Sequence, residues 1–130
     1  MDRKQGLKIL HALRRAGLVG MLAEDADALK HLCAPNKLFC DNTNLMYALS
    51  SNTDTGTMRE TFTANMFCQH KLAMPQKGDL MIDGKYIFEV GGRSKDYGQI
   101  ANIPESFVIA DGIDVGFGNK IPMWLFGFLY

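Results

Sequence analysis

Cysteine is scarce: Cys33, Cys40 and Cys68 are the whole complement, odd in number and without a CxxC pair. That argues against a disulfide framework and a zinc knuckle, and it fits a reduced cytoplasm. Long apolar runs are missing too. The longest nearly apolar stretch, residues 121–130, is far too short to span a bilayer, and Arg3 and Lys4 lead into an amphipathic pattern rather than a signal-peptide core. A soluble cytoplasmic protein without a membrane partner is expected. His11, His31 and His70 are scattered without ligand spacing, which speaks against a histidine metal site. No GxxxxGKS or GxxxxGKT run occurs, so the chain holds no phosphate-binding loop of that type and no nucleotide is expected in it. Neither sign of charge prevails, because fourteen basic and fourteen acidic residues cancel, so a nucleic-acid partner has to be argued from local clustering. Internal repeats and low-complexity segments are absent.

What is present is 130 residues at 47% apolar composition, enough for one packed domain or two very small ones. Basic residues cluster at the start, where Arg3, Lys4, Lys8, Arg14 and Arg15 face Asp2 alone, and a small acidic patch of Glu24, Asp25 and Asp27 follows. Asp2 is placed to cap a helix over 3–16 with Leu7, Ile9, Leu10 and Leu13 on one side and Gly17 as its stop. Lys4, Lys8, His11 and Arg15 line another side and are the candidate nucleic-acid-binding residues. Short strands are expected at 18–22 and 37–40, and helix, strand, loop, strand is the order of a winged helix. A capped helix over 41–50 closes this first part, 1–50. Residues 51–56 read as a linker of Ser, Asn, Thr, Asp and Gly.

The second part, 57–130, opens on Thr57-Met58-Arg59-Glu60, which predicts a capping box before a helix carrying Phe62, Met66 and Phe67 at core spacing. A hairpin follows, then a short helix over 95–100 with Ser94 as N-cap, then strands at 107–110 and 121–128. The start inside a helical pattern and the end on an aromatic strand are what a piece of a longer chain would show.

Within the hairpin, DLMIDGKYIFEVGGRSK at 79–95, turn length decides whether Asp79 and Glu89 share a site. A two-residue Asp83-Gly84 loop sends them to opposite faces and mixes apolar with charged residues on both. A three-residue loop over 82–84, with Gly84 left-handed, gathers Leu80, Tyr86, Phe88 and Val90 on one face and Asp79, Met81, Ile87, Glu89 and Gly91 on the other. Burial of the apolar face, at roughly 1.5–3 kcal/mol per large side chain, outweighs the preference between turns. Both carboxylates are therefore expected on one face, a donor set suited to Mg²⁺ or Mn²⁺ and to activation of a water for attack on a phosphodiester. Such a site also wants a lysine beside that water, usually two residues after the glutamate. Gly91 holds that position, Gly91-Gly92 interrupts the alternation that would bring in Arg93, and Lys95 is the candidate displaced lysine.

The segments GLVGML (17–22), KLFCDNTNLMYAL (37–49), RETFTANMF (59–67), GDLMIDGKYIFEVGGRSK (78–95), QIANIP (99–104) and IPMWLFGFLY (121–130) cover nearly the whole chain. They resemble the C-terminal region, known as DUF4143, of bacterial and archaeal AAA+-type ATPases: a winged-helix segment followed by a restriction-endonuclease-like, or PD-(D/E)XK, module. The resemblance implies an α+β (α/β) fold with an αββαβ core and a mixed sheet. It implies acidic site positions at Glu60, Asp79 and Glu89, and DNA and the N-terminal ATPase domain as partners. The family's Glu-x-Lys reads Glu89-Val90-Gly91 here, so a degenerate or weak nuclease is expected. An active Mg²⁺-dependent deoxyribonuclease using Asp79, Glu89 and Lys95 is the alternative.

Plainer roles stand beside these. The capping box alone accounts for Glu60, Asp79 and Glu89 could solvate a hairpin face, and Lys95 could be a surface residue. The basic stripe of the first helix is also what a solvated face shows. Alternating Trp124, Phe126 and Phe128 read as core or as a contact with a missing domain, and so suggest a partner-docking module without a nucleic-acid role.

Overall fold

The computed structural model describes residues 1–24 and 35–129; Asp25, Asp27, His31 and Cys33 lie outside them. Asp2 Oδ1 accepts the Gln5 N–H at 2.8 Å while Gln5 Oε1 accepts the Asp2 N–H at 3.4 Å, a capping box that starts α1 (Arg3–Arg15). Gly17 ends the helix at φ 69°, which lets the Leu18 N–H reach the Leu13 carbonyl and the Gly17 N–H reach the Arg14 carbonyl, both at 3.0 Å. Strands β1 (Val19–Leu22) and β2 (Lys37–Cys40) pair antiparallel with Gly20 opposite Phe39, whose ring fills the space a Cβ on Gly20 would need. Helix α2 (Thr43–Leu49) follows, capped by Asn42 Oδ1 on the Leu45 N–H at 2.8 Å.

Helix α3 (Thr55–Met66) starts earlier than the sequence suggests, taking up the last two residues of 51–56. Its cap is Asp54, which accepts the Thr57 N–H at 2.7 Å and the Thr57 hydroxyl at 2.9 Å. A carboxylate is the better N-cap, so Thr57 becomes the third helical residue and the Thr57–Glu60 box does not form. The Thr57 N–H holds the Asp54 carboxyl below its ordinary pKa.

Five strands complete the fold: β3 (Leu72–Ala73), β4 (Leu80–Ile82), β5 (Tyr86–Gly91), β6 (Ser106–Ala110) and β7 (Lys120–Pro122). They lie side by side in chain order, antiparallel from β3 to β5 and parallel from β5 to β7. The architecture is α+β, a mixed five-stranded sheet beside a two-stranded one. The β4–β5 register pairs Leu80 with Phe88 and Ile82 with Tyr86, the even-sum arrangement that the alternation predicts. The loop sits one residue further along than expected, at Asp83-Gly84-Lys85. Ile82 is 2% exposed and pairs with Leu72 of β3, and a place in the turn would forfeit about 1.5–3 kcal/mol of burial. Asp83 and Gly84 both take positive φ, 54° and 67°. Asp83 is pinned there by the Lys71 N–H on Oδ1 at 2.9 Å and His70 Nδ1 on Oδ2 at 2.8 Å.

Two further expectations are corrected. Residues 95–100 form turns rather than a helix, because Asp96 Oδ1 takes the Gly98 N–H at 2.9 Å and glycines at 91, 92 and 98 disfavour helix. Beyond β7 the chain does not continue as a strand to 128. Pro122 has no N–H to extend the ladder, and Met123–Phe128 winds into a 3-10 helix. Its period of three buries Met123 and Phe126 together, while Trp124 is left 53% and Phe128 76% exposed.

One face of the sheet, carrying Leu80, Ile82, Phe88, Val90 and Ile109, packs on Ala64 of α3 and its C-cap residue Phe67, Leu22 of β1, and Met123 and Phe126. Residues before and after 51–56 thus share one core, and the Met74 N–H donates to the Ala23 carbonyl at 2.9 Å. The opposite face carries Ile87, Val108 and Ala110 beneath Ile100, Ile103 and Ile113 of the two crossovers.

Candidate functional site

Glu89 lies in the middle of β5 next to Val108 of β6, and the β5–β6 crossover leaves it 1% exposed. Oε1 of its carboxylate meets Lys95 Nζ at 2.5 Å, and Oε2 has no hydrogen-bond partner among the described residues. A buried carboxylate oxygen without a partner is costly in a folded chain. Asp79 stands just before β4. Its N–H donates to the Phe88 carbonyl at 2.8 Å and its Oδ2 accepts the Val90 N–H at 2.7 Å, so it bonds the backbone on both sides of Glu89.

Lys95 completes the group by a route that Gly91 opens. A Cβ on Gly91 would lie 2.7–2.8 Å from Cβ, Cγ and Cδ of Lys95, so the lysine stem occupies the space that any side chain at position 91 would fill. The Lys95 side chain, 30% exposed, keeps contact with solvent. Its pKa is raised above the ordinary lysine value, chiefly by the hydrogen bond to Glu89, with the charges of Glu89, Asp79 and Asp96 adding to it against the opposing effect of burial. Lys95 is therefore an ammonium at neutral pH, and both carboxylates act on it.

Glu60 is not brought to this group. It ion-pairs with Lys37 of β2, from a helix that packs on the other face of the sheet. Its neighbour Arg59 reaches the ends of β5 and β6 instead, where Nε donates to Asp111 Oδ2 at 3.0 Å. Lys4, Lys8 and Arg15 are exposed on α1 and His11 is half-buried there, all of them away from the sheet's two core clusters.

The fit to a divalent cation rests on Glu89 Oε2 and the Asp79 carboxylate. Among the described residues no group of three or more His, Cys, Asp and Glu side chains gathers. Mg²⁺ is commonly held by one or two carboxylates with waters and substrate phosphates filling the rest. Asp79 and Glu89 would hold the ion, which would supply Lewis-acid stabilisation of phosphoryl charge and a more acidic water. Among the described residues no helix is long and apolar enough to cross a membrane.

Sequence reasoning missed Lys120 and Arg59. Lys120 meets the loop of Lys95 only through the register of two parallel strand pairs, and nothing in its local spacing announces this. Comparison with protein families, with curated proteins and with solved structures found no match.

Proposed function

We propose that the chain is the DNA-associated, nuclease-like C-terminal region of an AAA+-type ATPase, and that Asp79, Glu89 and Lys95 form a Mg²⁺- or Mn²⁺-dependent phosphodiester-hydrolysing site. One observation carries the reading: Lys95 enters through the gap at Gly91 and sets its ammonium on Glu89 Oε1, leaving Oε2 open. A site that had lost its lysine would leave the Glu89 carboxylate stranded; here the cation is supplied from the crossover instead. Asp79 and Glu89 would hold the ion. Lys95 balances their charge and offers its N–H donors to a developing phosphoryl oxyanion. The antiparallel hairpin running into parallel strands supports the restriction-endonuclease-like reading, and α1 with the β1–β2 pair supports the winged-helix one.

A second reading, a docking module for the ATPase or another protein, is favoured by the exposed Trp124, Leu125 and Phe128 of the 3-10 helix. Incubating the chain with single- and double-stranded DNA in Mn²⁺ decides between them. Cleavage abolished by Asp79→Ala is expected. Cleavage that survives Asp79→Ala would remove the site from consideration, and no cleavage by the wild type, with partner capture lost in Trp124→Ala, would favour docking.

A further inference from the structure

We infer that Lys120 is the positioning residue that holds Lys95 in the site, an inference resting on the nuclease reading above. A lysine two residues after the glutamate would be aimed by the strand itself. Lys95 instead lies four residues past the end of β5, in a run of turns, and something else must fix it. Lys120 Nζ donates to the carbonyl of Arg93 at 2.8 Å and to that of Lys95 at 2.9 Å. The parallel registers set Lys120 beside Val108 and Val108 beside Glu89, so the three share one row and one face of the sheet.

The tie is reinforced next to it. Phe117 and Lys120 exchange backbone hydrogen bonds at 3.0 Å, and the Tyr97 hydroxyl donates to the Phe117 carbonyl at 3.3 Å. The 117–120 turn and the 93–97 loop are thus joined at both ends. Gly91 supplies the space for the displaced lysine, and Lys120 supplies the constraint that a strand position would have supplied. An ammonium donating to carbonyl oxygens makes charge-assisted bonds, stronger than neutral ones.

The test measures how fast each lysine is acylated by an N-hydroxysuccinimide ester of acetate, read by peptide mass spectrometry, with exposed Lys4 as the internal reference. Lys120→Met should raise the Lys95-to-Lys4 rate ratio about tenfold, as expected for loss of two charge-assisted bonds, while Lys120→Arg keeps it low. Mn²⁺ affinity measured by calorimetry should fall in parallel. An unchanged ratio in a folded Lys120→Met protein overturns the inference. Should methionine loosen β7, Lys120→Gln takes its place, and a ratio equal to wild type again overturns it. A ratio that rises in a protein whose wild type neither binds Mn²⁺ nor cleaves DNA supports the clamp and removes the nuclease reading, so the two failures are told apart.

Discussion

Replacing Lys95 with alanine is expected to lower Mn²⁺-dependent cleavage about 10²–10⁴-fold, the range for loss of a positioned proton-transfer or charge-stabilising group. Moving the lysine to position 91 is expected to restore most of it. The three nearest atoms to a Cβ at 91 are all Lys95 side-chain atoms, so emptying position 95 removes the tightest contacts that Gly91→Lys would make. The exchange Gly91→Lys with Lys95→Gly would place an ammonium two residues after Glu89 on the same face of β5, where the strand aims it. Gly91→Lys alone should instead lose activity, because two stems compete for one space. Steady-state cleavage of a labelled DNA by the four proteins checks this. An exchange variant as inactive as Lys95→Ala would show that Lys95 acts from its loop in some way the strand cannot reproduce.

The second large effect is on stability. Lys95→Ala leaves a carboxylate that is 1% exposed without its cation, and is expected to cost about 2–3 kcal/mol, below the value for a fully buried pair because Lys95 retains solvent contact. Glu89→Gln removes the charge but leaves a buried amide with donors to satisfy, and should cost about 1–2 kcal/mol, while Glu89→Leu should be neutral or stabilising. In the Glu89→Leu background Lys95→Ala should cost almost nothing, so the double-mutant cycle returns a coupling near the whole effect of the single change. Urea denaturation of the set measures it. Equal costs of Lys95→Ala in both backgrounds would mean that the pair does not interact in solution. A fold that gains stability on losing Glu89 is retaining that carboxylate for use, which is how functional sites commonly depart from optimal packing.

The hairpin could be read from the sequence because its signal is redundant: Leu80, Tyr86, Phe88 and Val90 alternate against Asp79, Met81, Ile87 and Glu89, and only one parity buries the first set. The strand at 37–40 and the first helix were legible for similar reasons, one between a turn and a cap, the other between Asp2 and Gly17. The C-terminus was not, since Trp124, Phe126 and Phe128 alternate as a strand would, while Met123 and Phe126 satisfy a period of three with equal economy. Pro122 was the sign that broke the tie. At the site, Asp79, Glu89 and Lys95 were visible as residue types, but the route of Lys95 depends on space left by Gly91 and on Lys120, 25 residues away. Glu60 was drawn to a different partner, Lys37, over a separation of 23 residues that no local pattern records. Contacts made by a crossover's path are settled by the packing of the whole sheet, and periodicity carries no trace of them.

The most direct test of the account is a calorimetric titration of Mg²⁺ and Mn²⁺ into the wild type, Asp79→Asn and Glu89→Gln, with NMR spectra of the Glu89 and Val90 amides followed alongside. Saturable binding in the wild type, lost in both variants and accompanied by shifts confined to the end of β5 and the start of β4, is the predicted result. Absence of saturable binding in the wild type, or binding that both variants retain, would contradict it.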